Sequence, residues 1–230
     1  MKKAKRSFMQ RVRLWVRSFF KLSRVYRQTL YGIWKITGVP LPRVTIFGSA
    51  RLKQNDFYAK QAYELGGKFI ENGISVLTGG GPGIMEAVSC GALQKNNGEL
   101  EAISMGIGVK ELGEGKNPCV QEYIELDYFF ARKYLLTRSS IAFIVFPGGF
   151  GTIDEMGEVL TLIQTKIMPK MPIVLIGTEY WDLFLQWLRE QVLKHGAISE
   201  ADLKLFTVTD DIDYAFKIVS DFCKKQEKLH

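Results

Sequence analysis

Two glycine-rich strings have the residue types and spacing to do chemistry: TGGGPGIMEA, Thr78–Ala87, and FPGGFGTIDE, Phe146–Glu155. Each follows a β-rich apolar run and precedes a helical one. Because Gly79, Gly80, Gly81 and Gly83, and again Gly148, Gly149 and Gly151, lack side chains, backbone amides can approach an anion closely there. The helix that follows presents its positive end to the same place. One such string reads equally well as a tight turn; two at the carboxyl ends of strands point to a phosphate. A weaker third string, Gly48, Ser49, Ala50 and Arg51, follows the first strand and places Gly48 and Ser49 at the same edge. Neither main string is a standard fingerprint. Ile84 stands where a G-x-G-x-x-G run needs its last glycine, and no G-x-x-x-x-G-K-[ST] run occurs, so hydride transfer and Walker-type hydrolysis lose support.

Charged residues accompany the loops. Glu155 lies three residues beyond Thr152, about one helical turn inside the helix. A carboxylate beside an anion site is electrostatically wasteful unless it serves ribose hydroxyls, a developing cation or an attacking water. The alternative is a first-turn acid that complements the helix dipole, which would suit Asp154 as well. In LDYFFARKYLL, Leu126–Leu136, Arg132 and Lys133 offer cations for a phosphate or a leaving group; a solvated or salt-bridged surface pair is the competing reading.

Composition narrows the choices further. Of 230 residues, 47% are apolar and 24% charged, the balance of a globular chain with a sizeable core. The net charge of +7 is uneven: residues 1–43 hold 12 Lys/Arg and no acid, leaving 19 Lys/Arg against all 24 Asp/Glu beyond them. A nucleic-acid argument from charge therefore applies only to the head, and nucleic acid is disfavoured as a partner of the body. With two histidines, His195 and the terminal His230, a histidine metal site or a Ser-His-Asp triad lacks material, and no metal is expected. Cys90, Cys119 and Cys223 read as three free thiols in a reducing compartment, because they are odd in number and widely spaced. No apolar run approaches the roughly 20 residues of a membrane span.

The elements that must position these residues follow from periodicity. Residues 1–35 read as a basic amphipathic helix, with Val12, Trp15, Val16, Phe19, Leu22, Tyr26 and Leu30 at three- and four-residue steps. This helix has three readings: a structural helix packing on the body or across an oligomer interface, a peripheral helix on an anionic membrane, or a nucleic-acid or targeting segment. A signal peptide does not fit; an Arg-rich, acid-free mitochondrial presequence does, and a cytoplasmic location is the main expectation. Gly38, Pro40 and Pro42 end the helix, giving a head at 1–42 and a body at 43–230. Strands are predicted at 43–48, 74–78, 101–106, 120–125, 141–146, 172–176 and 205–208. Helices are predicted at 56–72, 83–96, 128–139, 152–165, 179–194 and 210–226. The alternation predicts an α/β, Rossmann-like doubly wound parallel sheet of about seven strands.

Taken together, these residues resemble the LOG (Lonely Guy) family of nucleoside 5′-monophosphate phosphoribohydrolases, long labelled lysine decarboxylases. The hallmark PGGxGTxxE is matched by Pro147, Gly148, Gly149, Gly151, Thr152 and Glu155; an Arg-Lys pair by Arg132 and Lys133; and a GGGxxG-like loop by Gly79, Gly80, Gly81 and Gly83 with Met85 following. The likeness covers roughly 43–210, and the form FPGGFGTIDE resembles the longer-chain bacterial branch. The resemblance implies hydrolysis of the N-glycosidic bond of AMP or N6-substituted AMP, cytokinin nucleotides included. Arg132 and Glu155 would be the catalytic pair. Gly48, Ser49, Gly79, Gly80, Gly81, Gly83, Met85, Lys133, Gly148, Gly149, Gly151 and Thr152 would hold substrate. It also implies a homo-oligomer and no cofactor, since no motif supplies a Schiff-base lysine for the pyridoxal phosphate of the older label. The loop Ile103–Pro118 departs from the family pattern, which leaves base preference open. A noncatalytic nucleotide or cofactor carrier of similar fold is the competing function.

Overall fold

The computed structural model describes residues 8–96, 98 and 100–227. The first seven residues of the predicted basic helix, and His230, lie outside them. The chain runs α1 (Phe8–Thr37), β1 (Arg43–Phe47), α2 (Phe57–Glu71), β2 (Ser75–Thr78), α3 (Ile84–Lys95), β3 (Ser104–Val109) and β4 (Glu122–Leu126). It continues through α4 (Phe129–Arg138), β5 (Ala142–Val145), α5 (Phe150–Gln164), β6 (Ile173–Ile176), α6 (Thr178–Trp187), β7 (Thr207–Thr209) and α7 (Ile212–Glu227).

All seven strands are parallel in one sheet of order β4-β3-β2-β1-β5-β6-β7. Successive residues along each central strand point to opposite faces, and both faces are covered. On one face Val44, Ile46, Ala142 and Ile144 join Leu65 and Phe69 of α2, Val88 of α3 and Val219 of α7. On the other, Phe47, Phe143 and Val145 join Leu135 of α4, Met156 and Val159 of α5 and Trp181 of α6. This burial on both faces is the reason the strands read as continuous apolar runs. From β1 the chain winds outward through β2, β3 and β4, then returns to pair β5 against the other side of β1, where Val44 faces Ala142. The connections leaving β1 and β5 diverge to opposite faces, which opens a crevice at their carboxyl ends.

The C-terminal half of α1 is part of the second core: Val25, Gly32 and Ile36 are buried, and Gly32 lies against Leu135 of α4. Asp127, just before α4, pairs with Arg24 at 2.6 Å and accepts from the Gln28 amide at 2.6 Å. No helix among the described residues is long and apolar enough to cross a membrane.

Two expectations are corrected. The third strand is not 101–106 but Ser104–Val109, so Ile107, Gly108 and Val109 of the expected loop are strand; Tyr123 of β4 lies over Gly106 and Gly108 and fills the space their side chains would take. The three-free-thiol reading also fails: Cys90 on α3 and Cys119 are joined in a disulfide, with Cα atoms 4.7 Å apart. Their 29-residue separation disguises a contact that sheet order creates. The premise for a reducing compartment goes with it. Cys223 is buried in the first core cluster.

Candidate active site

The crevice between β1 and β5 is a cleft of about 600 Å³, within the usual range of small-molecule sites. Three loops meet around it and are laced by the main chain. The Ser49 amide donates to Pro147 O at 3.0 Å, joining the loops after β1 and β5. The Ile84 amide donates to Ser49 O, also at 3.0 Å, joining the loop before α3. Gly83 makes the second contact possible: its φ is +70°, and a Cβ there would collide with Ser49 O. Tyr180, at the start of α6, donates its hydroxyl to Gly148 O at 2.7 Å and closes the far wall. The N-terminus of α5, capped by Gly149, opens on the cleft, so the first-turn amides and helix dipole favour an anion there.

Beside that helix end lie Arg132 and Glu155, only 6% exposed each. Arg132 comes from the first turn of α4 and Glu155 from the second turn of α5; both helices pack on the same face of the sheet beside β5, which brings the two side chains together. Arg132 Nη2 is 3.6 Å from Glu155 Oε1, and Nη1 is 3.9 Å from Glu114 Oε2. Neither contact is a full hydrogen bond, and Arg132 Nε and Nη1 have no hydrogen-bond partner. A buried guanidinium with unsatisfied N–H groups is costly, and an incoming oxygen ligand would relieve that cost. Gly79 gives the guanidinium its place, since a Cβ there would overlap Arg132 Nη2. Burial pushes the Glu155 carboxyl up to about 7, against the opposing pull of the Arg132 and Lys133 charges. A carboxyl poised there changes charge in the range where many acid-base catalysts work.

Of the residues expected from the sequence, Gly48, Ser49, Gly79, Met85, Arg132, Gly148, Gly149, Gly151, Thr152 and Glu155 line this cleft, as does Arg51. Four do not. Gly83 lies behind the wall as the hinge of the Ser49 contact. Gly80 packs on Gly106 and Tyr123, and Gly81 sits under Glu114. Lys133 turns away, pairing with Asp154 at 2.9 Å and Glu158 at 2.8 Å. The Arg-Lys pair is thus split, one residue buried at the cleft and the other salt-bridged along α5.

Sequence reasoning missed Asn117, which is 4% exposed. Its amide nitrogen donates to Gly80 O and Gly81 O, each at 3.1 Å, while its oxygen accepts from the Cys119 and Val120 amides. Asn117 therefore shapes the first glycine loop without touching the cleft. Glu114, Leu112, Phe129 and Tyr180 were missed as lining residues. The signal for Leu112 and Glu114 was their place after β3, at the same edge as the glycine loops. Tyr180 had none, because its contact with Gly148 spans 32 residues. The cleft lining contains no lysine among the described residues. With Lys133 engaged elsewhere, a Schiff base to pyridoxal phosphate finds no amine here.

Fold and site define a Rossmann-like α/β protein whose phosphate-suited loops face a buried arginine–carboxylate pair. A family model described as "Possible lysine decarboxylase" matches residues 85–219, and the chain belongs to this family, the LOG family. It is 31% identical over 160 residues to the probable cytokinin riboside 5′-monophosphate phosphoribohydrolase LOGL5 of Oryza sativa subsp. japonica, covering 68% of this chain and 63% of the relative. It is 26% identical over 190 residues to the phosphoribohydrolase LOG1 of Arabidopsis thaliana, covering 81% and 86%. The chain thus spans just under two thirds of the rice relative's length. Among solved structures, the molybdenum cofactor binding protein from Rippkaea orientalis superposes with a TM-score of 0.59 at 19% identity, covering 79% of this chain and 96% of that one. The molybdenum cofactor carrier protein from Chlamydomonas reinhardtii gives 0.57 at 22%, covering 78% and 96%. Likeness at such identities concerns the fold alone.

Proposed function

We propose that the cleft hydrolyses the N-glycosidic bond of a purine nucleoside 5′-monophosphate, AMP or an N6-substituted AMP, to free base and ribose 5-phosphate. The observation that carries this reading is the buried Arg132–Glu155 pair, with unsatisfied guanidinium N–H groups, beside the helix N-terminus of α5 in one cleft. The amides at 148–152 hold the 5′-phosphate, and remote binding energy becomes positioning at the sugar. As the C1′–N9 bond breaks, its electron pair leaves with the base and positive charge builds on the ribose ring. Ionised Glu155 lies close enough to offset that charge, hold the ribose hydroxyls and accept a proton from the water that bonds to C1′. The departing base takes up a proton from solvent, and Glu155 gives the proton it accepted back to solvent, so the step nets one water consumed. Arg132 keeps its proton, so it orients substrate and helps ionise Glu155; it does not act as an acid.

Incubation with AMP, CMP, GMP and an N6-prenylated AMP, followed by assay of free base and ribose 5-phosphate, tests the proposal. Release from AMP or its N6-prenylated form is expected. Saturable binding of these nucleotides without release from any of the four would replace the enzyme by a carrier. That second reading draws on the same unsatisfied guanidinium, which suits a ligand whether or not it is cleaved.

A further inference from the structure

The cleft leaves one large feature of the molecule unused. Helix α1 is 30 residues long, about 45 Å at 1.5 Å per residue, and only one side of it meets the body, through Val25, Gly32 and Ile36. A second apolar stripe follows the helix from end to end, formed by Phe8, Val12, Trp15, Phe19, Leu22 and Tyr26 and continued by Leu30 and Ile33. These side chains are 38 to 76% exposed. At about 100° per residue, the middle of this stripe lies roughly 100° around the helix from the body-facing side. It therefore runs past the body along the whole helix without being covered by it. Trp34, Phe20 and Met9 widen the stripe and are also exposed.

Charge decides what covers it. Arg11, Arg13, Arg17, Lys21 and Arg27 are exposed on α1, and residues 1–43 contain no acid. A second copy of α1 laid on the stripe would bring two such cationic segments together with no carboxylate on either helix. An acidic planar surface matches both features: apolar and aromatic side chains enter the boundary between headgroups and acyl chains, Arg11 and Arg27 beside the stripe meet lipid phosphates, and Arg13, Arg17 and Lys21 on the opposite face add longer-range attraction. We infer that α1 is a docking helix for an anionic lipid surface, lying in its plane through the Phe8–Ile33 stripe with the body held to the side of the stripe. This inference is independent of the reaction proposed for the cleft.

The test is co-sedimentation of the full-length protein with vesicles of phosphatidylcholine alone or mixed with phosphatidylglycerol, read together with tryptophan emission. Pelleting with the mixed vesicles is expected, with a shift of emission to shorter wavelength as Trp15 enters the boundary. Raised salt should weaken binding. Trp15→Glu with Phe19→Glu should abolish it, and each of Arg11→Gln and Arg27→Gln should lower partitioning about fivefold. Both aromatic positions are exposed, so circular dichroism and nucleotide turnover should match the parent. Absence of binding to either vesicle overturns the inference. So does equal pelleting of the doubly substituted protein, or a dimer by sedimentation equilibrium that the double substitution dissociates while vesicle binding is absent.

Discussion

Burial of Glu155 ties the proposed catalysis to stability. Its carboxyl has an ordinary value of 4.5 and is raised to about 7 in the fold, so between these values the native state holds a proton that the unfolded chain has released. Stability falls as pH rises through that window, by up to about 3 kcal/mol, and stays lower above it. Glu155→Gln removes the charge and mimics the protonated acid. Its thermal melt is expected above the parent's at pH 8 and close to it at pH 4, while hydrolysis falls at least about 100-fold; an unchanged rate would remove Glu155 from the chemistry. The pH profile of kcat/KM should rise from pH 5 to 8 with an inflection near 7, about a unit above the second ionisation of a phosphate near 6. Replacing Arg132 with Ala removes the neighbouring positive charge that lowers the carboxyl, so the inflection of the residual activity should move to higher pH. At this scale the sequence was legible as to identity: the strings around Gly79 and Gly148 and the acid at Glu155 all face or frame one cleft. The split between Arg132 and Lys133 was not, because adjacent residues on a helix point about 100° apart and only packing decides which one is buried.

Among the elements, the loop leading into β4 has the largest consequence for the site. Asn117 holds two carbonyls of the first glycine loop and two amides of its own loop, and the Cys90–Cys119 disulfide fastens the same segment to α3. Asn117→Ala strands buried backbone groups, at a cost of about 2 kcal/mol or more. It should raise KM for the nucleotide more than it lowers kcat, as steady-state kinetics beside a urea titration would show. Most strands and helices were legible from period-2 and period-3.6 patterns, since each pattern reports which side of an element is buried. The exception is informative. Gly108 made the second half of β3 look like loop because the residue that fills its side-chain space, Tyr123, belongs to a neighbouring strand. The cysteine pairing escaped for the same kind of reason.

At the scale of the whole molecule, α1 joins two functions of surface: its C-terminal half completes the second core cluster and its outer stripe faces away. Removing residues 1–22 keeps Val25, Gly32 and Ile36 in place, and the urea midpoint should stay near the parent's. Removing residues 1–40 strips Val25, Ile36 and Val39, all buried, from beside α4, at a cost of about 3 kcal/mol or more. The second truncation should therefore shift the midpoint strongly and disturb Arg132, which sits on that same helix. Local order along the chain determined the α/β class, the seven strands, the basic head and the glycine loops at strand ends, because hydrophobic period and glycine placement act within a few residues. Only the tertiary structure decided that β1 and β5 adjoin, that Arg132 meets Glu155 in a buried cleft, that Asn117 braces the glycine loop, and that one face of α1 stays uncovered. Those outcomes depend on sheet order, which sets which distant side chains share a small volume of low dielectric.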